Sequence, residues 1–262
     1  MQDSWAEADL YEAYMGRWSR LVAEAFLDWL APRAGLSWMD VGCGTGALTH
    51  AIARRSPRLV TGIDRSQHFV MAAGRDRQSA SELYVVADAA ELPVAGGSVD
   101  LAVSALALNF LPQPERMVRE MARAVRHGGR AALYVWDYAG GMEYLRHFWD
   151  AVADFEPAAA NLDEGRRFPI CRAEVLEQIF ASTGLRDVTV MPIDVSMRFR
   201  NFEGYWSSFS GGQGPAPGYV SKLGEKDCAD LRELLRQRLP EDADQSIALT
   251  ARAWAVQGHK VG

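Results

Sequence analysis

Asp40, Gly42, Gly44 and Gly46 alternate in the run Asp40-Val41-Gly42-Cys43-Gly44-Thr45-Gly46. Asp64 closes a second, apolar run, Leu59-Val60-Thr61-Gly62-Ile63-Asp64. Residues of these types at this spacing can hold a nucleoside. Glycine lets the chain turn sharply and lets a ligand lie against bare backbone. A helix starting at Ala47 offers unpaired N–H groups and a partial positive charge to a carboxylate or phosphate. A carboxylate at the tip of the neighbouring strand suits the two hydroxyls of a ribose. Read as Gly42-x-Gly44-x-x-Ala47, the loop also fits a dinucleotide pattern, so by itself it leaves two cofactor classes open.

The elements that must position these residues follow in order. A third strand, Leu83 to Ala87, ends in Asp88-Ala89, and Glu91-Leu92-Pro93 comes after it. A fourth, Ser98 to Ser104, runs into Ala105-Leu106-Ala107-Leu108-Asn109-Phe110. A helix from Pro114 to Arg126 gives way to His127-Gly128-Gly129 and a fifth strand, Arg130 to Asp137. Proline at its start and glycines after its end are the expected asymmetry. Ser66 is a good N-cap for a helix near 66–78. Strands alternating with helices from 37 to 137 call for a parallel sheet with right-handed crossovers.

The ordered series D-x-G-C-G-T-G, G-x-D-x-S, D-A-x-x-L-P, V-D-L-x-x-S and G-G-R before a strand resembles the class I S-adenosylmethionine-dependent methyltransferases. Within them it is most similar to the branch of the ubiquinone/menaquinone biosynthesis C-methyltransferases. The resemblance covers about residues 38–137. It implies an α/β, doubly wound, mostly parallel seven-stranded sheet of Rossmann-like type, with an antiparallel last strand and helical cap insertions. It also implies S-adenosyl-L-methionine as cofactor and a small-molecule methyl acceptor. The backbone of Gly42, Cys43 and Gly44 is then expected at the methionine moiety, with Asp40 holding the loop and reaching the amino group through water. Asp64 meets the ribose, Arg65 and Ser66 flank the adenosine, and Asp88 and the Ala89 N–H meet the adenine. Asp88 has a second reading, as the cap of a short helix. Ser104, Ala105 and Leu106 are expected under the sulfonium. Asn109 orients substrate or caps a turn, with Phe110 beside it.

Outside the motifs the residues are less specific. Tyr11, Tyr14, Arg17 and Trp18 form either a lid over the cofactor, with Tyr14 and Arg17 touching it, or an amphipathic packing face. Methyl transfer needs an in-line nucleophile and exclusion of water, and a protein base only where the acceptor holds its proton. Of His147, Asp137, Tyr138 and His50, the base is assigned to His147, among Tyr144, Phe148 and Trp149. An apolar acceptor pocket is expected to include Trp149, Tyr205 and Trp206, with Phe199, Phe202 and Phe209 nearby. Packing of a cap explains the same aromatics. The stretch 210–218, rich in glycine and proline, reads as a loop.

The 262 residues suffice for one domain with a full core. The expected organisation is a single domain, 1–262. Its core covers about 33–137, 172–195 and 247–258, and its cap about 1–32, 138–171 and 196–246, gathered over the C-terminal ends of the strands. The chain is 48% hydrophobic and 24% charged, with a net charge of −6. That balance argues against a nucleic-acid partner, which leaves a basic footprint. Arg116, Arg119, Arg123 and Arg126 share one helix face, which reads as a solvated surface. Cys43, Cys171 and Cys228 are odd in number and far apart, suggesting neither a disulfide framework nor a metal site. No run of about 18 apolar residues is present to span a membrane, and a cytoplasmic protein is expected. Two other functions share these features: a non-catalytic binding module on the same fold, and an NAD-type oxidoreductase, which Asp88-Ala89 disfavours.

Overall fold

The computed structural model describes residues 15–210 and 214–261. Tyr11 and Tyr14, and with them most of the expected N-terminal lid, lie outside the described residues. Among the described residues the elements run α1 (Arg17–Leu30), β1 (Ser37–Val41), α2 (Ala47–Ala53), β2 (Leu59–Asp64), α3 (Gln67–Arg75) and β3 (Glu82–Val86). Next come β4 (Val99–Ala105), α4 (Pro114–Ala124), β5 (Val125–Trp136), α5 (Glu143–Phe155), α6 (Glu164–Arg167) and α7 (Ala173–Ser182). The remainder is β6 (Arg186–Phe199), α8 (Phe202–Trp206), α9 (Pro215–Val220), α10 (Glu225–Arg238) and β7 (Ile247–His259).

The seven strands form one sheet in the order β3-β2-β1-β4-β5-β7-β6. Strands β1 to β5 pair in parallel. Bonds between Gly128 and Lys260 and between Asp137 and Arg252 run β7 antiparallel to β5. β1 is buried at every position, as expected for a central parallel strand flanked on both sides. On α4, Met117, Val118 and Met121 make one buried stripe.

Local chemistry sets the boundaries. The Ser66 hydroxyl caps α3 by accepting the Phe69 N–H. The helix starting at Pro114 stops at Ala124, two residues before the expected end. Val125 already pairs with Val99, and pairing resumes at Leu101 with Arg130. Residues 126–129 bulge out between them. Gly129 fits only because it lacks a Cβ, which would lie 2.5 Å from the Asp100 carbonyl oxygen. The expected loop over 210–218 is corrected in part. Pro215 opens the short helix α9, its fixed φ being preorganised for a first helical turn.

The chain divides into two compact units. The first holds residues 19–135, 170–193 and 253 onward, and carries the glycine loop and strands β1 to β4. The second holds the described residues through Trp18, then 136–169 and 194–252. Residues 19–32, grouped with the cap on sequence grounds, fall in the first unit, where Phe26 packs on Tyr134 at 4.9 Å. The second unit is organised by an aromatic core. Tyr144 stacks on Phe199 and Phe209, and Phe148 stacks on Phe209 at 4.5 Å. Such pairs contribute about 0.5–1.5 kcal/mol each beyond the area they bury.

Candidate functional site

The glycine loop between β1 and α2 takes the conformation its composition allows. Gly42, Gly44 and Gly46 have φ of +74°, +53° and +91°, a region that side chains disfavour. The N–H groups of Gly42 and Cys43 both donate to the Ile63 carbonyl, at 2.7 and 3.0 Å, and Gly46 N–H closes the turn on Cys43 O at 2.9 Å. A Cβ on Gly42 would strike Ala107 at 2.5 Å, whereas a Cβ on Gly44 would meet nothing within 4 Å. Gly42 is therefore required by packing, and Gly44 offers open backbone to a ligand.

Asp64 stands at the C-terminal end of β2 with its carboxylate turned to the loop. Its Oδ2 accepts the Gly44 N–H at 3.0 Å and its Oδ1 accepts the Ser66 N–H at 2.8 Å. A carboxylate has about four acceptor positions, so each oxygen retains capacity for a hydroxyl. Ser66 is doubly committed, with its N–H on Asp64 and its hydroxyl on the α3 cap, while Arg65 is exposed. Beyond β3, Asp88 Oδ1 accepts the Ala90 N–H at 2.8 Å. No helix follows, so the cap of a short helix expected as the second reading is corrected to an acceptor that holds a turn. Ala89 sits within that turn.

Asp40 lies within β1, fully buried, and its Oδ2 accepts the Thr49 hydroxyl at 2.6 Å. Burial raises its pKa to about 7, against the Thr49 hydrogen bond and reinforced by Asp64. Oδ1 of Asp40 is buried with no partner. The same holds for Ser104 Oγ and for both amide atoms of Asn109. Ser104 Oγ lies 4.0 Å from the Cβ position of Gly42, and Asp40 pairs in register with Val103, one residue before Ser104. Leu106, at the end of the Ser104-Ala105-Leu106 segment, has a φ of +56°, held by its N–H on Tyr134 O at 2.9 Å. A leucine in that region is strained, and such strain concentrates where a ligand is clamped. Phe110 is 39% exposed beyond Asn109. These buried polar atoms, the bare backbone at Gly44 and the strand-tip carboxylate fit an adenosyl amino acid. Cys43 is no nucleophile: burial first, then Asp40 and Asp64, drive its thiol pKa far upward.

The remaining candidates lie in the second unit. Arg17 stacks 3.9 Å from the Trp18 ring centroid and 5.4 Å from that of Phe199. Its aromatic neighbours are thus packing partners. His147 is half-buried on α5, and burial lowers its pKa against the pull of Glu143 and Asp150, leaving it neutral near pH 7. Tyr205 is fully enclosed, and its hydroxyl donates to the Tyr144 carbonyl at 3.0 Å. Trp149 donates its indole N–H to Glu164. Both rings are core, because each spends its polar atom inside the unit. Trp206, 9% exposed, stacks on Phe202. Three polar groups escaped sequence reasoning: Thr49 on Asp40, the His50–Glu82–Tyr84 cluster, and buried Glu164. Their partners are set by tertiary contact; the one local feature beside them is Asp163, whose carboxylate accepts the Gly165 N–H and caps α6.

Residues 39–133 match the family described as "Methyltransferase domain". Over 93 residues the chain is 38% identical to malonyl-[acyl-carrier protein] O-methyltransferase of Hahella chejuensis, covering 35% of this chain and 33% of that one. It is 29% identical over 116 residues to the ubiquinone/menaquinone biosynthesis C-methyltransferase of Cereibacter sphaeroides, covering 42% and 46%. The chain thus spans between a third and a half of the length of these curated relatives. Among solved structures it is similar to phosphoethanolamine N-methyltransferase 2 of Haemonchus contortus in complex with phosphomonomethylethanolamine and S-adenosylhomocysteine. The TM-score is 0.59 at 18% identity, covering 97% of this chain and 57% of that one, which fixes the fold.

Proposed function

We propose that this chain, whose residues 39–133 match the methyltransferase-domain family, moves a methyl group from S-adenosylmethionine to a small, partly apolar acceptor by in-line displacement. The observation that carries the reading is the cluster at the β1 and β4 ends. An open glycine loop is tied to the Asp64 carboxylate, and unpartnered atoms of Asp40 and Ser104 stand close by. The names of the relatives support the same reaction class.

The cofactor supplies an activated methyl on a sulfonium. The chain's own residues do the rest. The backbone of Gly42, Cys43 and Gly44 receives the amino-acid end, and Arg17 and Tyr14 are assigned to the cofactor. Asp40 Oδ1 is the acceptor for an ammonium, directly or through water. A neighbouring cation draws its carboxyl back to the ionised form. Asp64 takes the ribose hydroxyls while still holding Gly44. Arg65 and Ser66 flank the adenosine, and Asp88 and the Ala89 N–H take the adenine edge. Ser104, Ala105 and Leu106 form the wall at the reacting end, and Asn109 orients an acceptor whose apolar part lies on Phe110. His147, neutral near pH 7, is the assigned base for an acceptor that holds its proton. Trp206 remains the aromatic candidate for an acceptor wall.

A thermal-shift titration tests this. S-adenosylhomocysteine at about 100 times its Kd should add about 2.7 kcal/mol to folding stability, read as a rise in Tm. Methyl-labelled cofactor should then be turned over against a metabolite panel. A shift with NAD and none with S-adenosylhomocysteine overturns the reading.

A further inference from the structure

Buried His50 and Glu82 and half-buried Tyr84 form a polar group beside the glycine loop that the reaction does not use. His50 Nδ1 lies 2.6 Å from Glu82 Oε2, and Tyr84 Oη donates to the same oxygen at 2.7 Å. The Gln78 N–H donates to Glu82 Oε1 at 3.0 Å. Glu82 is fully enclosed and His50 nearly so. A carboxylate receiving these donors acts as acceptor, so the His50 ring carries its proton on Nδ1. Nε2 is then the ring atom that carries a lone pair. It is buried, has no hydrogen-bond partner, and faces the loop. A Cβ on Gly46 would lie 2.8 Å from Nε2 and 3.1 Å from Tyr84 Oη. Gly46 is also the residue whose carbonyl accepts the His50 backbone N–H, at 2.8 Å. The ring thus fills the space a side chain at Gly46 would need, and the backbone bond ties His50 to the end of the loop.

The geometry points to His50 as a positioning residue for the cofactor loop: with Nε2 bare the loop keeps its ligand-holding shape, and a proton on Nε2 opposes ligand binding. A second N–H on this ring would be a buried donor beside Gly46 with no acceptor, a cost that a shift of the loop would relieve. The glycines make that movement easy, since they restrict φ least. The groups facing the ring set the balance. From β3, the Glu82 carboxylate faces Nδ1. Tyr84 stays a neutral donor, because burial first and then its bond to Glu82 push its pKa upward. From the loop, the Cys43 thiol reaches the Cβ position of Gly62 alongside Tyr84, and α3 contributes the uncharged Ala73. Asp40 and Asp64 stand behind Cys43 in β1 and β2. Arg54, which follows α2, is committed to Glu24 and Gln78.

This inference rests on the loop being the S-adenosylmethionine site, and the experiment separates the two. S-adenosylhomocysteine is titrated calorimetrically into wild type and His50→Gln at about pH 6 and about pH 8, the range over which imidazoles change charge. Asp40 and the ligand's amino group are present in both proteins, so their share of any pH effect cancels in the comparison. Wild type should lose several-fold more affinity than the variant on acidification, on the order of tenfold, an ordinary coupling between two linked sites. In parallel, 15N-histidine spectra of wild type at about pH 6 should show the Nε2 resonance of His50 moving toward its unprotonated position when ligand binds. The spectra need no variant, so misfolding of His50→Gln leaves the inference testable. An equal pH ratio in the two proteins, or a His50 resonance unmoved by ligand, overturns it. Wild type that binds no S-adenosylhomocysteine at either pH overturns the site reading, and this inference with it.

Discussion

Replacing Asp64 with alanine separates what the carboxylate does for the ligand from what it does for the loop. The substitution removes the acceptor of two backbone N–H groups, Gly44 at 3.0 Å and Ser66 at 2.8 Å, together with the acceptor assigned to the ribose. Both donors lie at a partly exposed strand tip where water can replace the lost bonds, so stability should fall by only about 1 kcal/mol. Binding should suffer more. A hydrogen bond to a charged group is worth about 1.5–3 kcal/mol, and losing it from the ribose alone gives roughly a ten- to hundredfold rise in Kd. The freed Gly44 N–H adds to that, because a looser loop must be ordered again when ligand binds. Asp64→Asn keeps one carbonyl acceptor and should fall between wild type and alanine. Calorimetric titration with S-adenosylhomocysteine gives Kd, and urea unfolding of the same samples gives stability. A folded Asp64→Ala protein whose Kd stays within about twofold of wild type, a change of under about half a kcal/mol, would show that the ribose is not read there.

Two further outcomes concern the second unit. Burial raises the Glu164 pKa from 4.5 to about 7, so the native state binds an extra proton between those values and stability declines as pH rises through them. Glu164→Gln retains an acceptor for Trp149 and should match wild type near about pH 4. By about pH 8 it should exceed wild type by up to about 3 kcal/mol in urea unfolding, and an equal difference at both pH values would refute the assignment. Tyr205→Phe removes the donor to the Tyr144 carbonyl and should cost about 0.5–1.5 kcal/mol of stability. A change in acceptor KM without that loss would return Tyr205 to the acceptor pocket.

The core was legible because its signals are local. Alternating glycines, a serine cap at 66, a proline at 114 and buried runs ending near Asp40 and Asp64 each act on the chain within a few residues. The His50–Glu82 contact spans 32 positions and the Tyr205–Tyr144 bond 61, and no periodicity encodes either. Aromatic type was equally silent on direction: Tyr205 and Trp149 could line a pocket or fill a core, and only the fate of the hydroxyl and the indole N–H decides. Composition misled at Pro215, which opens α9 inside a glycine- and proline-rich stretch that reads as a loop throughout. A proline that ends one element and a proline that starts the next look alike until the backbone after it is seen to turn.

The strand order has a consequence for how the chain is made. β5 lies between β4 and β7, and the 110 residues from 137 to 246 separate the end of β5 from the start of β7. At ribosomal speeds of about 5–20 residues per second, β5 waits roughly 5–20 s for its second neighbour. Through that interval the nascent chain carries an apolar strand with one open row of backbone donors and acceptors, the kind of edge that recruits foreign strands. The sheet cannot be closed by any truncated product that stops before β7. A ribosome-bound chain is thus most exposed to mispairing while the second unit's residues are being synthesised.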